Sequence, residues 1–452
     1  MTDLALSTQK KDAVAFETQN PTSHTKPRHV FAFHTVSTQI LLVSCTAFCT
    51  IGSFNALQGL GGAGQEKPYI ANAATAINFG LMGLVCIFGG PVVTLLGVKW
   101  TLALGTCGDP LFGAAVYCNT RFGTQWFLIF AAVFRGLFSG LFWASEGAVI
   151  IGYPRDQWRG RSITCWVAFK ELGSIVSSAI NLGLSAHDNR AGSVGYEVYY
   201  VTLVIMCLGL PVALLLSPTN KVVHNDGEPI HLEHSGTYQL EYRRLGQLLR
   251  RPGVMLIIPF AWFAYFYYSF AHTLVNKNFS VRGRALTSLL TALASVVGSS
   301  LLAALADRKG SRSTKSLMLL TLTVFALCIA TWIFLTIIVL DYSGPRLDWT
   351  DDGFARRAMS VVLLFVAMQA AQTYLYWTAS FLTDSVGDSF HLAGLVRGVE
   401  ALGQCVAYGV NSSATSPVVS IVLNWVFLVS GGGCLTMLLF RLSRSCDGSE
   451  GK

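Results

Sequence analysis

The chain has 452 residues, of which 52% are apolar or aromatic and only 12% charged, about half the charged share of a typical soluble domain. So little polar surface excludes an ordinary water-soluble fold. The net charge of +8 therefore reads first as membrane topology, and no nucleic-acid partner is expected.

Residues 1–35 form a polar tail, expected on the cytosolic side. The apolar run from Val30 is longer than a signal-peptide core and lacks a small-residue cleavage site, so it is expected to stay as an anchor. A bilayer core of about 30 Å needs about 20 helical residues to cross. Twelve such runs follow, at 36–60, 69–96, 100–118, 126–151, 162–184, 198–217, 254–274, 285–306, 316–340, 358–382, 392–411 and 418–440. In lipid only a helix satisfies its own backbone, so helix is predicted for each. The fold class is all-α and polytopic: a six-helix bundle over 36–217, a polar cytosolic segment over 218–253, a second bundle over 254–440 and a cytosolic tail over 441–452. The 11 cysteines are scattered, mostly within the apolar runs and without C-x-x-C spacing, and read as small membrane- or core-facing residues.

Most of the 32 Lys and Arg residues fall on the side that carries both termini, in the tail, the 4–5 loop (Arg155, Arg159, Arg161), the centre and the 8–9 loop. That bias places the termini in the cytosol. Two N-x-S sequons, Asn278 and Asn411, fall on the outer side as candidate glycosylation sites.

The two halves share patterns. Gly90-Pro-Val-Val-Thr94-Leu-Leu-Gly97-Val-Lys99 follows the second run, and Ala303-Ala-Leu-Ala-Asp307-Arg-Lys-Gly310-Ser-Arg312 follows the eighth. In each, a glycine lets a tight loop turn and a base marks the cytosolic face. Glu171-Leu-Gly173 precedes Asn181 in the fifth run, and Glu400-Ala-Leu-Gly403 precedes Asn411 in the eleventh, with the same glycine-to-asparagine spacing. The fifth and eleventh runs are equivalent positions of a duplicated six-helix unit.

The repeated loop resembles the signature of the major facilitator superfamily, two six-helix bundles around a central cavity. Asp307 keeps the usual acid of that signature, whereas Thr94 replaces it in the first copy. Gly90, Gly97, Lys99, Asp307, Gly310 and Arg312 are then expected to gate the cytosolic side. Asn78-Phe-Gly, Phe88-Gly-Gly-Pro91, Leu137-Phe-Ser-Gly-Leu-Phe-Trp-Ala-Ser-Glu-Gly-Ala148, Gly152-Tyr-Pro154, Arg159-Gly-Arg161 and Ala179-Ile-Asn-Leu-Gly-Leu184 together resemble the fungal uncoordinated-93-like branch. Members of that branch are described mostly as transporters. Animal relatives include a chaperone of Toll-like receptors and a regulator of a potassium channel.

Ionisable groups at membrane depth each cost a few kcal/mol, so each needs a partner or a water-lined cavity. Asp109, Arg135, Glu146, Lys170, Glu171, Arg397 and Glu400 qualify. Asp109 and Arg135 each lie roughly 13 Å from opposite edges of neighbouring antiparallel helices, near mid-depth. They are candidates to pair, although Asp109 precedes Pro110 and is equally placed to serve backbone groups freed by that proline. Glu146 and Lys170 reach similar depth, and Arg397 and Glu400 stand at i,i+3. Either Glu146 or Glu171 exchanges a proton or meets substrate, or the pairs are static struts; Arg135 is either an anion anchor or a structural partner.

The seventh run carries Phe260, Trp262, Phe263, Tyr265, Phe266, Tyr267, Tyr268 and Phe270, longer than an interfacial aromatic belt. Trp262, Tyr265 and Tyr268 are the expected aromatic wall of a cavity for a flat apolar or heterocyclic molecule. Gln369, Gln372 and Trp377 of the tenth run and Asn55 of the first are its expected polar lining, or else packing glue between helices. Gly59–Gly64 lacks the Gly-Lys-Ser/Thr of a phosphate loop, and His231 and His234 read as a solvated loop. No nucleotide-binding domain, metal site or cofactor is expected, nor an enzyme.

The expected function is secondary transport of a small organic molecule, including efflux of a metabolite, by rocking of the halves with proton coupling. The alternative is an escort or regulator of another membrane protein, whose helices the buried charges would meet. Plasma membrane and endomembrane stay undecided.

Overall fold

The computed structural model describes residues 32–65, 67–89, 92–93, 96–187, 192–230, 238–306, 314–341, 344–382, 386–413 and 416–447. Within them the chain is helical, and three isolated bridges, such as Thr35 with Val223, are the extended pairings described. Twelve long helices follow in order. In the first half they are α1 (Val36–Gly59), α2 (Tyr69–Phe88), α3 (Val98–Thr106 continued by Gly108–Phe122), α4 (Gln125–Gly152), α5 (Asp156–Ser185) and α6 (Tyr196–Leu214). A connector helix, Tyr238–Leu249, leads to α7 (Pro252–Asn278), α8 (Val281–Ala306), α9 (Thr314–Leu340), α10 (Phe354–Ala379), α11 (Val386–Val410) and α12 (Pro417–Asp447).

Ten of these helices are long and apolar enough to cross a membrane. The other two are less apolar along their length: α3 carries Asp109 and Pro110 at its middle, and α11 holds Arg397, Glu400 and Gln404. Leu319, Leu322, Val429 and other large aliphatic side chains stand exposed on the outer faces, as a lipid-facing surface requires.

Packing repeats with an offset of six helices. Helix α1 packs on α5 and α6, α2 on α4, and α3 on α4 and α6; in the second half α7 packs on α11 and α12, α8 on α10, and α9 on α10 and α12. The halves meet along α2 with α11 and α5 with α8, a pair that the same offset exchanges. The glycines of the duplicated motif fix this arrangement. A Cβ at Gly173 of α5 would lie 2.4 Å from the Phe48 carbonyl oxygen of α1, and one at Gly403 of α11 would lie 2.6 Å from the Trp262 carbonyl oxygen of α7. Only a residue without a side chain permits such an approach. Both receiving helices lose regularity nearby, α1 in a π turn at Phe48–Gly52 and α7 at Tyr265, with φ −117° and ψ 3°. Such departures inside helices often mark functional sites.

Candidate functional site

Between the halves lie two adjoining chambers, one larger than the other. They share Asn55, Lys170, Tyr265 and Tyr268 as a common wall. The larger is lined by α1, α2, α3 and α4 on one side and by Tyr265, Tyr268, Arg397 and Gln404 on the other. The smaller lies between α5 and α8, where Glu171, Ser174 and Ser178 face Ser288, Thr291 and Ser295, with His272, Phe365 and Gln369 beside them.

The buried charges resolve into three ion pairs. Asp109 and Arg135 meet at 2.7 Å; the same guanidinium donates to Asn78 Oδ1 at 2.9 Å and lies 3.4 Å from the centre of the Phe54 ring. Asp109 is thus held by Arg135 and not by the backbone before Pro110. Arg397 and Glu400 pair at 3.1 Å, and Glu400 also accepts from Tyr376 at 3.0 Å and from Gln372 Nε2 at 3.3 Å. The Arg397 guanidinium sits 4.3 Å from the centre of the Trp143 ring of α4, across the interface, and 5.2 Å from that of Tyr265 in its own half, placing a cation on two electron-rich faces.

The third pair corrects an expectation. Lys170 does not bond Glu146; its Nζ lies 2.9 Å from Glu171 Oε1. Depth along the helices places Glu146 and Lys170 together, but Trp166, one turn before Lys170, comes between them. Its indole N–H donates to Glu146 Oε1, and Lys170 rests over its ring at 5.4 Å. Glu146, 2% exposed, keeps its other oxygen without a partner among the described residues. Trp166 also meets Trp143 edge to face at 5.8 Å. A chain of contacts therefore runs from Glu146 through the two indoles to Arg397 and Glu400 in the other half.

The remaining residues divide. Asn55, Tyr265, Tyr268 and Gln369 line the chambers, and Gln372 is turned to Glu400. Trp262 and Trp377, expected in the cavity, do not line either chamber. Trp262 packs on Phe427, and Trp377 lies among Tyr374 and Phe381; both belong to faces that their helices turn towards α12 or their own neighbours. Gly97 caps the start of α3 at φ +76°, the turn its motif requires, with Lys99 half-buried two residues on. Gly90, Thr94, Asp307, Gly310, Arg312, His231 and His234 lie outside the described residues, as do residues 1–31. Asn278 is half-buried at the end of α7, where its carbonyl accepts from Leu347 N. Asn411 is buried, with its amide between Ala407 O and Ser420.

One functional residue escapes sequence reasoning. Arg284, between the seventh and eighth apolar runs, is fully buried and donates to four peptide oxygens of the first half: Leu60 at 2.6 Å, Gly192 at 2.8 Å, Gly61 at 3.1 Å and Gln65 at 3.3 Å. Leu60 and Gly61 belong to the Gly59–Gly64 turn, in which Gly61, Gly62, Ala63 and Gly64 all have positive φ, Gln65 follows it, and Gly192 lies in the loop before α6. Asn276 Nδ2 joins at Gly61 and Gln65, and Asn72 crosses to Thr273 and to Asn411 O. These bonds tie the two halves together at the end of the bundle where α1 ends and α8 begins. The signal was present as a glycine cluster facing a lone arginine, but nothing in the sequence joins the two.

Beyond that end, Asp348 in the loop before α10 takes hydrogen bonds from Arg282, Ser280 and Thr350. The Arg282 guanidinium beside it holds its carboxyl well below the usual carboxylate range.

Residues 37–344 match the family model described as Major Facilitator Superfamily. The chain is 33% identical over 385 residues to the notoamide biosynthesis cluster protein O' of Aspergillus versicolor, covering 84% of this chain and 83% of that one. It is 28% identical to an UNC93-like protein of Schizosaccharomyces pombe, over 83% of this chain and 77% of that one, and 25% identical to UNC93-like protein 1 of Arabidopsis thaliana, over 92% of each. Among solved structures, a D-xylose-proton symporter superposes with a TM-score of 0.61 at 13% identity, covering 88% of this chain and 96% of the other, a likeness of fold. On a model match across most of its length and relatives of one line in fungi and plants, the chain belongs to the Major Facilitator Superfamily, in its UNC93-like branch.

Proposed function

We propose that the chain is a secondary transporter that carries a small organic molecule through the central chambers by alternating access of its two halves, with a proton as the coupling ion. The observation that carries this reading is the space at the interface of the halves, walled by aromatics and by paired charges, with Arg284 binding the two halves together at one end. Its lining of aromatics with a few polar groups suits a small organic ligand, and midplane sites between repeats are where secondary transporters bind cargo. The family supports transport, and the relative named for a biosynthetic cluster supports efflux of a metabolite as its direction.

In this reading both termini face the cytosol, and the Arg284 end faces away from it. Opening that end requires Arg284 to leave four peptide oxygens that belong to the other half, so cargo binding must offset their loss. Glu146 is the proton carrier: a buried carboxyl with one neutral donor, one free oxygen and no cation bonded to it. Movement of Trp166 with α5 would change that environment and favour release or uptake of the proton.

The test is flux into proteoliposomes of purified protein under an imposed pH gradient, using extracts or compounds exported by the source cells. Transport predicts gradient-dependent movement that collapses with an uncoupler, and retention of the same compound by cells lacking the gene. No flux, unchanged export by those cells and stoichiometric co-purification of another membrane protein would overturn it in favour of the escort reading, to which the UNC93-like relationship also points.

A further inference from the structure

The chamber walls sort into groups already satisfied and groups left open. Arg135, Lys170 and Arg397, the cations lining the larger chamber, each have a carboxylate within 3.1 Å. The wall therefore presents alternating dipoles with its charges matched. A charged ligand would have to compete with a partner already in place, or carry its own charge into a low-dielectric space without one, and either is unfavourable. An uncharged ligand meets neither obstacle.

The open groups say more. Three buried atoms of lining residues have no hydrogen-bond partner among the described residues: Arg397 Nε, Gln404 Oε1 and Gln369 Oε1. Gln404 is 2% and Gln369 8% exposed, and the Arg397 side chain 12%. Unsatisfied buried polar atoms are rare in native proteins and call for an occupant. Here they are one N–H donor and two carbonyl acceptors, distributed over both chambers. Arg397 and Gln404 are seven residues apart on α11, two turns along one face, while Gln369 reaches the smaller chamber from α10. Tyr265 and Tyr268 stand on the wall the chambers share, with Trp143 and Phe365 beyond them on either side. Such rings accept a flat partner by stacking.

We infer that the ligand of these chambers is an uncharged, flat, polycyclic molecule of the amide or lactam class, whose carbonyl accepts from Arg397 Nε and whose N–H or O–H groups donate to Gln404 and Gln369. The inference rests on the reading of the chambers as the cargo site, and it names the chemistry of that cargo. Organic anions and organic cations of the same shape are poor ligands because every lining charge is taken. Molecules with the rings but without the N–H lose the glutamine contacts.

The experiment measures binding, so it stands apart from whether transport occurs. Full-length protein in lipid nanodiscs is titrated with four tricycles of one outline: acridone, which is neutral with a carbonyl on one edge and an N–H on the opposite one; N-methylacridone, which lacks the N–H; acridine-9-carboxylate, an anion; and 9-aminoacridinium, a cation. Acridone is expected to bind at least about tenfold more tightly than either ion and than its N-methyl derivative, the scale set by leaving polar groups unpaired in a binding site. Gln404→Leu should weaken acridone by about tenfold and abolish its advantage over N-methylacridone. Arg397→Lys, which keeps a cation for Glu400 while removing the Nε donor, should weaken both acridones alike. If Gln404→Leu fails to fold, the comparison of acridone with N-methylacridone on the unaltered protein decides. Equal or tighter binding of either ion, no preference for the free N–H, or no acridone binding would overturn the inference. Tight acridone binding without flux would leave it standing and count against transport.

Discussion

The two halves of this protein use one backbone device to hold two different pieces of chemistry. In each, a glycine on the fifth helix of the unit presses against a carbonyl of the first, Gly173 on Phe48 and Gly403 on Trp262. Just before each glycine lies a buried carboxylate beside a base. There the likeness stops. Glu400 is fully buried and accepts from Arg397, Tyr376 and Gln372. Glu171 is held by Lys170, and Glu146 by Trp166. A carboxylate with three donors is fixed in charge and place, whereas one with a single donor can change protonation at small structural cost. On the proposed transport reading, the fixed scaffold and ligand grip fall to the second half and the mobile proton to the first.

The largest effect should come from breaking the saturated site. Glu400→Gln leaves Arg397 as a buried charge without its counter-ion, a loss of about 3–5 kcal/mol, read as a lower melting temperature and a lower yield of monodisperse protein. Glu146→Gln keeps the Trp166 contact and should melt within about 1 kcal/mol of the unaltered protein. Equal losses for the two would erase the contrast between the halves.

Next come the glycines, which test what the halves share. Gly173→Ala and Gly403→Ala each force a Cβ against a backbone oxygen, and overpacking of this kind costs about 1–3 kcal/mol. Matching losses are expected from thermal unfolding. A tolerated alanine at only one of them would mean that the pseudo-symmetric packing is not the common support.

Arg284→Met should act on equilibrium between states more than on folding. It leaves the Leu60 and Gly192 oxygens without the Arg284 donor, while Gly61 and Gln65 keep Asn276 Nδ2; each unpaired acceptor costs about 1–3 kcal/mol while buried, which favours opening of that end to water. A cysteine placed at Ser288 should then react faster with an impermeant thiol reagent from the outer side, against the same cysteine with Arg284 intact. Unchanged labelling would show that Arg284 is not the latch.

The smallest effect lies outside the membrane. Asp348 has a carboxyl depressed chiefly by Arg282, so its contribution to stability is full above the unfolded value of about 3.9 and is lost only as pH falls through the lower folded value. The difference in melting temperature between the unaltered protein and Asp348→Asn should therefore stay constant from neutral pH down to about pH 4 and narrow below it. Narrowing already near neutrality would contradict that pairing.

What could be read from the residues follows from how local each feature is. The crossings were legible because lipid leaves the backbone only one way to satisfy itself, and the duplication because Glu171-Leu-Gly173 and Glu400-Ala-Leu-Gly403 carry a close contact in their spacing. Depth was legible too, from 1.5 Å of rise per residue, and it suffices for Asp109 with Arg135. It fails for Glu146 with Lys170, because depth says nothing of the direction a side chain takes around its helix, and Trp166 occupies the gap. The breaks at Phe48–Gly52 and Tyr265 come from tertiary pressure and leave no local pattern. Arg284 reads as a surface base because its partners are peptide oxygens, which have no identity in a sequence.

The most direct measurement compares proton-driven uptake with exchange in proteoliposomes holding either the unaltered protein or Glu146→Gln, using the tightest-binding tricycle as cargo. If the mobile proton belongs to Glu146, the variant retains exchange of cargo across the membrane at near the unaltered rate and loses uptake driven by the pH gradient. Uptake driven by the gradient as strongly in the variant as in the unaltered protein would contradict the account.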